Sequence, residues 1–462
     1  MKNTPAMADY ELRHIEALRK NLAGCTVLLK KDGSFPLEKP CTLAAYGSGV
    51  RRTIRGGTGS GEVNSRYSVT IEEGLQQAGF TLTGMEWHTG YEQARKKAHK
   101  AFLKQLKKDA KAVKQNFILY GMGKAMPEPE YNLPLNAEGD AAIYVVSRIS
   151  GEGNDRTPLK GDIRLTDSEV RDILALDKKF TRFMLVLNVG GVVDLSPVMD
   201  VRNILLLSQL GVETGGALAD ILLGKANPSG KLTTTWAAFE EYPEMPDFED
   251  MNETRYREGI YVGYRYFDTF RKPALFPFGH GLSYTEFRLG AVAVEANGAQ
   301  ITVRTFVENI GALAGRQVVQ VYLSKPPANS MHLGRSFAPL PKRTSLPPVK
   351  RNRSPAPLPC RRWQPMIPKL PPIFWRQAIT LSVSVSAASK PPPPPSCIWT
   401  RQVTTLQANN VLGSTDFTDL TAPASTMERP AGVPVIEIDP VAIACETVAY
   451  DRTEEVLPRW TP

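Results

Sequence analysis

The stretch Ala141-Ala142-Ile143-Tyr144-Val145-Val146, followed closely by Ser150-Gly151-Glu152-Gly153-Asn154-Asp155-Arg156, decides how this chain is read. A short, uninterrupted apolar run predicts a strand buried on both faces, as the strands of parallel sheets are. The glycine-flanked loop after it then sits at the carboxyl end of that strand, where open α/β sheets collect ligand-binding groups. Glycines on both sides of Glu152 let the backbone approach a ligand closely, so Glu152 reads as a presented carboxylate rather than a packed one.

Outward from this strand, short apolar runs alternate with amphipathic segments from Cys25 to about Trp236, which predicts a layered α/β domain. Strands are expected at Thr26–Leu29, Thr42–Tyr46, Phe183–Leu187 and Ile204–Leu207, with helices at Thr70–Ala78, Tyr91–Lys114, Ser168–Asp177 and Val212–Leu223. Thr166 and Glu169 have capping-box spacing at the start of the third helix, and Gly79 and Gly224 stop the first and last. The Lys-rich helix from Tyr91 reads as a charged solvent face. After Phe287 the texture changes: Leu289–Val294 and Ile301–Phe306 flank the turn pair Asn297-Gly298, and Gln317–Leu323 supplies a third strand. These three strands open a small β-sandwich whose later strands the sequence does not supply.

The composition restricts function. A chain of 462 residues with 42% hydrophobic content is long enough for two or three domains and fits a soluble globular protein. The start, Met1 to Tyr10, is polar, and no apolar run approaches bilayer length, so a cytoplasmic protein without membrane contact is expected. Cysteines at 25, 41, 360, 397 and 445 lack metal-ligand spacing and read as reduced thiols, and neither a metal nor another cofactor is expected. The net charge of +9 is local, because residues 326–400 hold eleven Lys or Arg and no Asp or Glu. The remainder is close to neutral, which argues against a nucleic-acid partner. That basic segment also holds about half of the 37 prolines, including Pro391 to Pro395, and reads as disordered.

The acidic loop is one of several motifs in a fixed order. Arg55-Gly56-Gly57-Thr58-Gly59-Ser60-Gly61-Glu62-Val63 precedes it, and Lys160-Gly161-Asp162 follows. Next come Asn188-Val189-Gly190-Gly191, Gly224-Lys225-Ala226-Asn227-Pro228-Ser229-Gly230-Lys231-Leu232, Tyr261-Val262-Gly263-Tyr264-Arg265-Tyr266-Phe267 and Phe276-Pro277-Phe278-Gly279-His280-Gly281-Leu282-Ser283-Tyr284. Over roughly residues 20 to 325 this order resembles the α/β-sandwich domain of glycoside hydrolase family 3, the β-glucosidase family, followed by the start of its fibronectin type III-like domain. The resemblance implies a three-layer α/β sandwich with a mostly parallel sheet in 1–285, a partial fibronectin type III-like β-sandwich in 286–325, a Pro- and Arg-rich segment in 326–400, and a tail or linker in 401–462. With this domain first, the chain is similar to the subgroup of reversed domain order, whose catalytic barrel follows the β-sandwich. Residues 326–400 fit neither, and are read as a segment translated out of its ancestral frame or as a basic, proline-rich binding tail.

The resemblance also implies a chemistry. The family's retaining enzymes hydrolyse terminal β-glycosidic bonds with two carboxylates, a nucleophile and an acid/base. The glutamate of a Ser-Gly-Glu-Gly-x-Asp-Arg loop is the acid/base, here Glu152, while Asp155 and Arg156 order the loop. Ser60, with Thr58 and Gly59, takes the place of the loop that contacts the sugar. The nucleophile aspartate belongs to a barrel for which this sequence shows no repeated strand–helix pattern. A β-linked oligosaccharide or glycoside is therefore the expected substrate, with the barrel as a partner in trans. His280, Asn188, Gly230, Lys231 and Tyr261–Phe267 are read as structural. Alternatives are a non-catalytic carbohydrate-binding or regulatory subunit, an inactive truncated product, or a nucleotide-binding domain built on Gly47-Ser48-Gly49, where Arg52 replaces the third glycine of the dinucleotide pattern.

Overall fold

In the computed structural model, the predicted strand at Ala141 is the centre of a six-stranded sheet, and every one of its residues is buried. The structure describes residues 7–121, 124–150, 156–244, 253–297 and 300–324, with short strands and isolated residues beyond them. The sheet is built from β1 (Val27–Lys30), β2 (Thr42–Tyr46), β3 (Thr81–Thr83), β4 (Ala141–Arg148), β5 (Phe183–Val189) and β6 (Ile204–Leu206), in the spatial order β1-β6-β5-β4-β2-β3. All neighbours run parallel except β1 against β6.

The period-2 alternation of β4 and β5 splits the interior into two cores. Ala142, Tyr144 and Val146 face one core with Phe183, Leu185 and Leu187. Ala141, Ile143 and Val145 face the other with Met184 and Val186. Each of the larger of these buried side chains contributes roughly 1.5–3 kcal/mol, so both faces need a helical cover. The helices are α1 (Asp9–Leu22), α2 (Ile71–Gln77), α3 (Met85–Ala112), α4 (Phe117–Gly121), α5 (Asp167–Lys179), α6 (Thr214–Leu222) and α7 (Tyr264–Phe270). Trp87 and Tyr91 of α3 join Ile173 and Leu176 of α5 over the first core. Over the second, Leu22 of α1, Ile71 and Leu75 of α2 and Leu218 of α6 close the sandwich. Among the described residues, no helix is long and apolar enough to cross a membrane.

The predicted caps form. Thr166 Oγ1 accepts from Glu169 N at 3.1 Å, and Glu169 Oε2 accepts from Thr166 N at 2.9 Å. Thr70 and Glu73 cap α2 in the same way. The Lys-rich helix begins at Met85, earlier than its charge pattern indicates, and its first turns bury Trp87, His88 and Tyr91.

Beyond the sandwich lie β7 (Phe287–Leu289), β8 (Ala293–Asn297), β9 (Gln300–Asn309) and β10 (Gln320–Ser324). The predicted hairpin is present, with β8 antiparallel to β9 and Asn297 opposite Gln300. The continuous strand expected at Leu289–Val294 is instead broken into two. Gly290 donates its N–H to Phe306 O at 2.8 Å, and a Cβ there would run into the Phe306 ring, so the strand turns at that glycine. Within 326–400 the structure describes short strands, of which Arg351–Pro359 pairs with β9 and Ala378–Ser384 with β10.

Helices α2 and α6 meet backbone to backbone at Gly74 and Gly215, where an added Cβ on either glycine would collide with main-chain atoms of the other segment. Backbone cannot move aside as a side-chain tip does. Gly215→Ala is therefore expected to destabilise the domain by roughly 2 kcal/mol or more, read from denaturant unfolding midpoints at unchanged slope.

Candidate active site

The topology reverses direction between β2 and β4: from β2 the chain adds β3 on one side, whereas β4, β5 and β6 extend on the other. Such a switch point leaves a crevice beyond the carboxyl ends of the two strands. A cavity of about 1150 Å³ occupies this place. It is lined from one side by Gly56, Gly57, Thr58 and Gly61, and from the other by Ser150 and Arg156. The glycine-rich loop and the two stems of the acidic loop, about 90 residues apart in sequence, thus border one cavity.

The glycine-rich loop is held at its root. Gly47, at φ +89°, passes β4 where a Cβ would strike the Val145 backbone, and Gly49 lies against the Val145 side chain. The Gly47-Ser48-Gly49 pattern is accounted for by this close crossing. Asn188, buried at the end of β5, accepts from Ile54 N at 2.7 Å and donates to Ile54 O at 2.9 Å and Ser208 O at 2.7 Å. Gly211 N donates to Arg55 O at 2.9 Å. Beyond these ties, Thr58 is half-buried and Gly59–Gly61 form a single tight turn. The side chain of Ser60 lies outside the described residues.

Glu152 and Asp155 also lie outside the described residues, but both stems of their loop are described and converge on Asp162. Arg148, at the end of β4, donates from Nε to Asp162 O at 3.0 Å, from Nη1 to Ser147 O at 2.9 Å and from Nη2 to Glu169 at 2.6 Å. On the returning stem Arg156 Nε donates to Asp162 Oδ1 at 2.7 Å and Arg156 Nη1 to Val192 O at 2.6 Å. Thr157 adds its N–H and hydroxyl to Asp162 Oδ2. One residue therefore fixes the entry stem through its carbonyl and the exit stem through its carboxylate. The Asp162 turn is itself seated by Gly161, which has φ +88° and accepts Glu128 N at 2.8 Å, and where a Cβ would meet the Glu128 backbone.

Glu128, Tyr91 and Arg148 are site residues that pattern reading misses, because the segment before β4 has no periodicity and α3 reads as a solvated helix. Tyr91 stacks on Trp87, with centroids 5.3 Å apart, and donates its hydroxyl to Glu128 Oε1 at 2.5 Å. Burial and the nearby Glu169 carboxylate push Glu128 up to about 7, against the pull of Arg148. Burial likewise drives His88 down to about 4, and its Nε2 meets Ala45 O at 3.0 Å. His280, read as structural, does bind the core strand through Leu29 O at 2.9 Å. Among the described residues, no group of three or more His, Cys, Asp or Glu is placed to hold a metal.

This architecture defines an α/β-sandwich domain whose site lies at the carboxyl ends of its parallel strands. Residues 26–284 match the Glycosyl hydrolase family 3 C-terminal domain, and the chain belongs to glycoside hydrolase family 3. It is 35% identical to beta-glucosidase A of Butyrivibrio fibrisolvens over 68% of this chain and 42% of that protein. The beta-glucosidase of Ruminococcus albus is 34% identical over 65% of this chain and 31% of its own length. Beta-glucosidase 3B from Thermotoga neapolitana, solved with glucose, superposes with a TM-score of 0.71 at 30% identity, covering 84% of this chain and 54% of that one. The chain thus spans about half or less of the length of these relatives.

A Glu128 carboxyl raised above its ordinary value of 4.5 binds a proton more tightly in the folded state than in the unfolded chain. Its contribution to stability is full below about 4.5 and is lost as pH rises through about 7. Glu128→Gln is expected to remove this falling component from the melting temperature measured across that range.

Proposed function

We propose that this chain supplies the general acid/base of a retaining β-glycosidase, with Glu152 as the acid/base and a barrel domain outside these residues as the source of the nucleophile. The observation that carries the reading is the convergence of the glycine-rich loop and both stems of the Glu152 loop on one cavity at the switch point. In the first step the nucleophile attacks the anomeric carbon while the protonated Glu152 carboxyl gives its proton to the departing glycosidic oxygen. In the second, Glu152 takes a proton from water as that water attacks the glycosyl–enzyme ester, and the sugar leaves with retained configuration. Such an acid must be protonated at working pH and held to within an ångström, and the Arg148–Asp162–Arg156 clamp is suited to the second need. Ser60, Thr58 and Gly59, on the facing loop, are suited to hydrogen bonding with sugar hydroxyls. Residues 286–325 are assigned to the opening of a fibronectin type III-like domain, and 326–400 to a segment translated out of frame.

The test is hydrolysis of aryl β-glucosides and β-xylosides by the purified chain, with and without a separately expressed family 3 barrel. Activity that requires the barrel and disappears in Glu152→Ala supports the assignment; equal activity in that variant overturns it. Asp162→Ala, which removes the carboxylate holding the exit stem and leaves the backbone contact to Arg148 and the Glu152 side chain unchanged, is expected to lower kcat about 100-fold. KM for the same substrate should change far less.

A further inference from the structure

One wall of the cavity is built from α3 and the segment after α4, and it is cationic. Among the described residues, seven basic side chains line the cavity, Arg55, Arg95 and Lys124 among them, against three acidic ones, Glu62, Glu128 and Asp162. Four of the bases are engaged: Arg148 with Glu169, Arg156 with Asp162, Arg51 with Glu72, and Arg52 more distantly with Glu92. Arg55, Arg95 and Lys124 form no ion pair among the described residues, although Arg95 acts electrostatically on Glu128 and Lys124 Nζ stands 3.7 Å from the Tyr120 ring centroid. Arg95 stands one turn after Tyr91 on α3, and Phe102 follows it two turns on, so the three share a helix face that runs along the cavity. Arg156 Nη2 and Ser150 Oγ are also buried without hydrogen-bond partners among the described residues. A cavity that offers donors and positive charge beside an aromatic ring fits a planar anion better than a neutral sugar.

We infer that this wall recognises the leaving group, and that the preferred substrates are glycosides of aromatic carboxylic acids, with Phe102 against the ring and Arg95 and Lys124 facing the carboxylate. The placement rests on the assignment of Glu152. An acid that protonates the glycosidic oxygen stands on the leaving-group side of the bond, so walls of this domain beyond its loop face the aglycone rather than the ring being cleaved.

Because the wall lies within this chain, binding can be measured without a barrel and without catalysis. The probes are 4-carboxyphenyl β-D-glucoside and its methyl ester, titrated calorimetrically into the purified chain. The acid is expected to bind about tenfold tighter than the ester, as a partly desolvated charge pair provides, and to lose that advantage at high salt. Arg95→Gln and Lys124→Gln should each erode the preference, while Lys111→Gln, on the exposed last turn of the same helix, should leave it unchanged. Equal affinity for acid and ester, no binding of either, or a preference that survives both cavity substitutions overturns the inference. A failed acid/base assignment would register in the hydrolysis assay with the barrel, and a failed leaving-group assignment in this binding measurement.

Discussion

The ion pair between Arg148 and Glu169 is the constraint on which the rest of the site hangs. Both side chains are almost wholly buried, at 4% and 1% exposure. Removing either would leave a charge without its partner in the interior, a cost of about 3–5 kcal/mol. Glu169 also completes the N-terminal cap of α5, so a single carboxylate oxygen joins the helix start to the last residue of the central strand. Arg148 in turn reaches the Asp162 turn, and Asp162 reaches Arg156. Helix, strand and both stems of the acidic loop form one hydrogen-bonded unit.

The consequence for chemistry is rigidity around a loop that the backbone alone would leave loose. A Gly-Glu-Gly sequence has no conformational preference of its own to hold a carboxylate in place. The structure places the restraint outside the glycines, in two arginines whose planar forks have several donors each. Arg55 and Arg95, which form no ion pair among the described residues, add positive charge to the cavity lining. Glu128 sits against this field as a carboxyl that burial and Glu169 keep protonated more readily than usual.

Much of the sandwich is legible in the sequence, for physical reasons that differ between elements. β4 and β5 are buried on both faces, so they must be apolar throughout, and a run of such residues announces itself. The cap at Thr166 is local, decided by side chains three residues apart. β3 has only three residues and α1 is polar along most of its length, so neither stands out. The start of α3 is misread because Thr89 and Gly90, poor helix formers, interrupt the apolar pattern between Trp87 and Tyr91. The break at Gly290 depends on a ring sixteen residues away, which no local pattern contains.

By itself, the sequence determined the layered α/β class, the family resemblance and the two glycine-rich loops, because strand burial, helix caps and glycine requirements act over a few residues. Only the tertiary structure decided that those loops share a cavity, that Asp162 ties both stems of the acidic loop, and that Tyr91, Arg95 and Glu128 join them. These are contacts between segments far apart in the chain. Their geometry is set by sheet order and by the packing of α3 on the first core, neither of which leaves a periodic trace in the residues that make the contact.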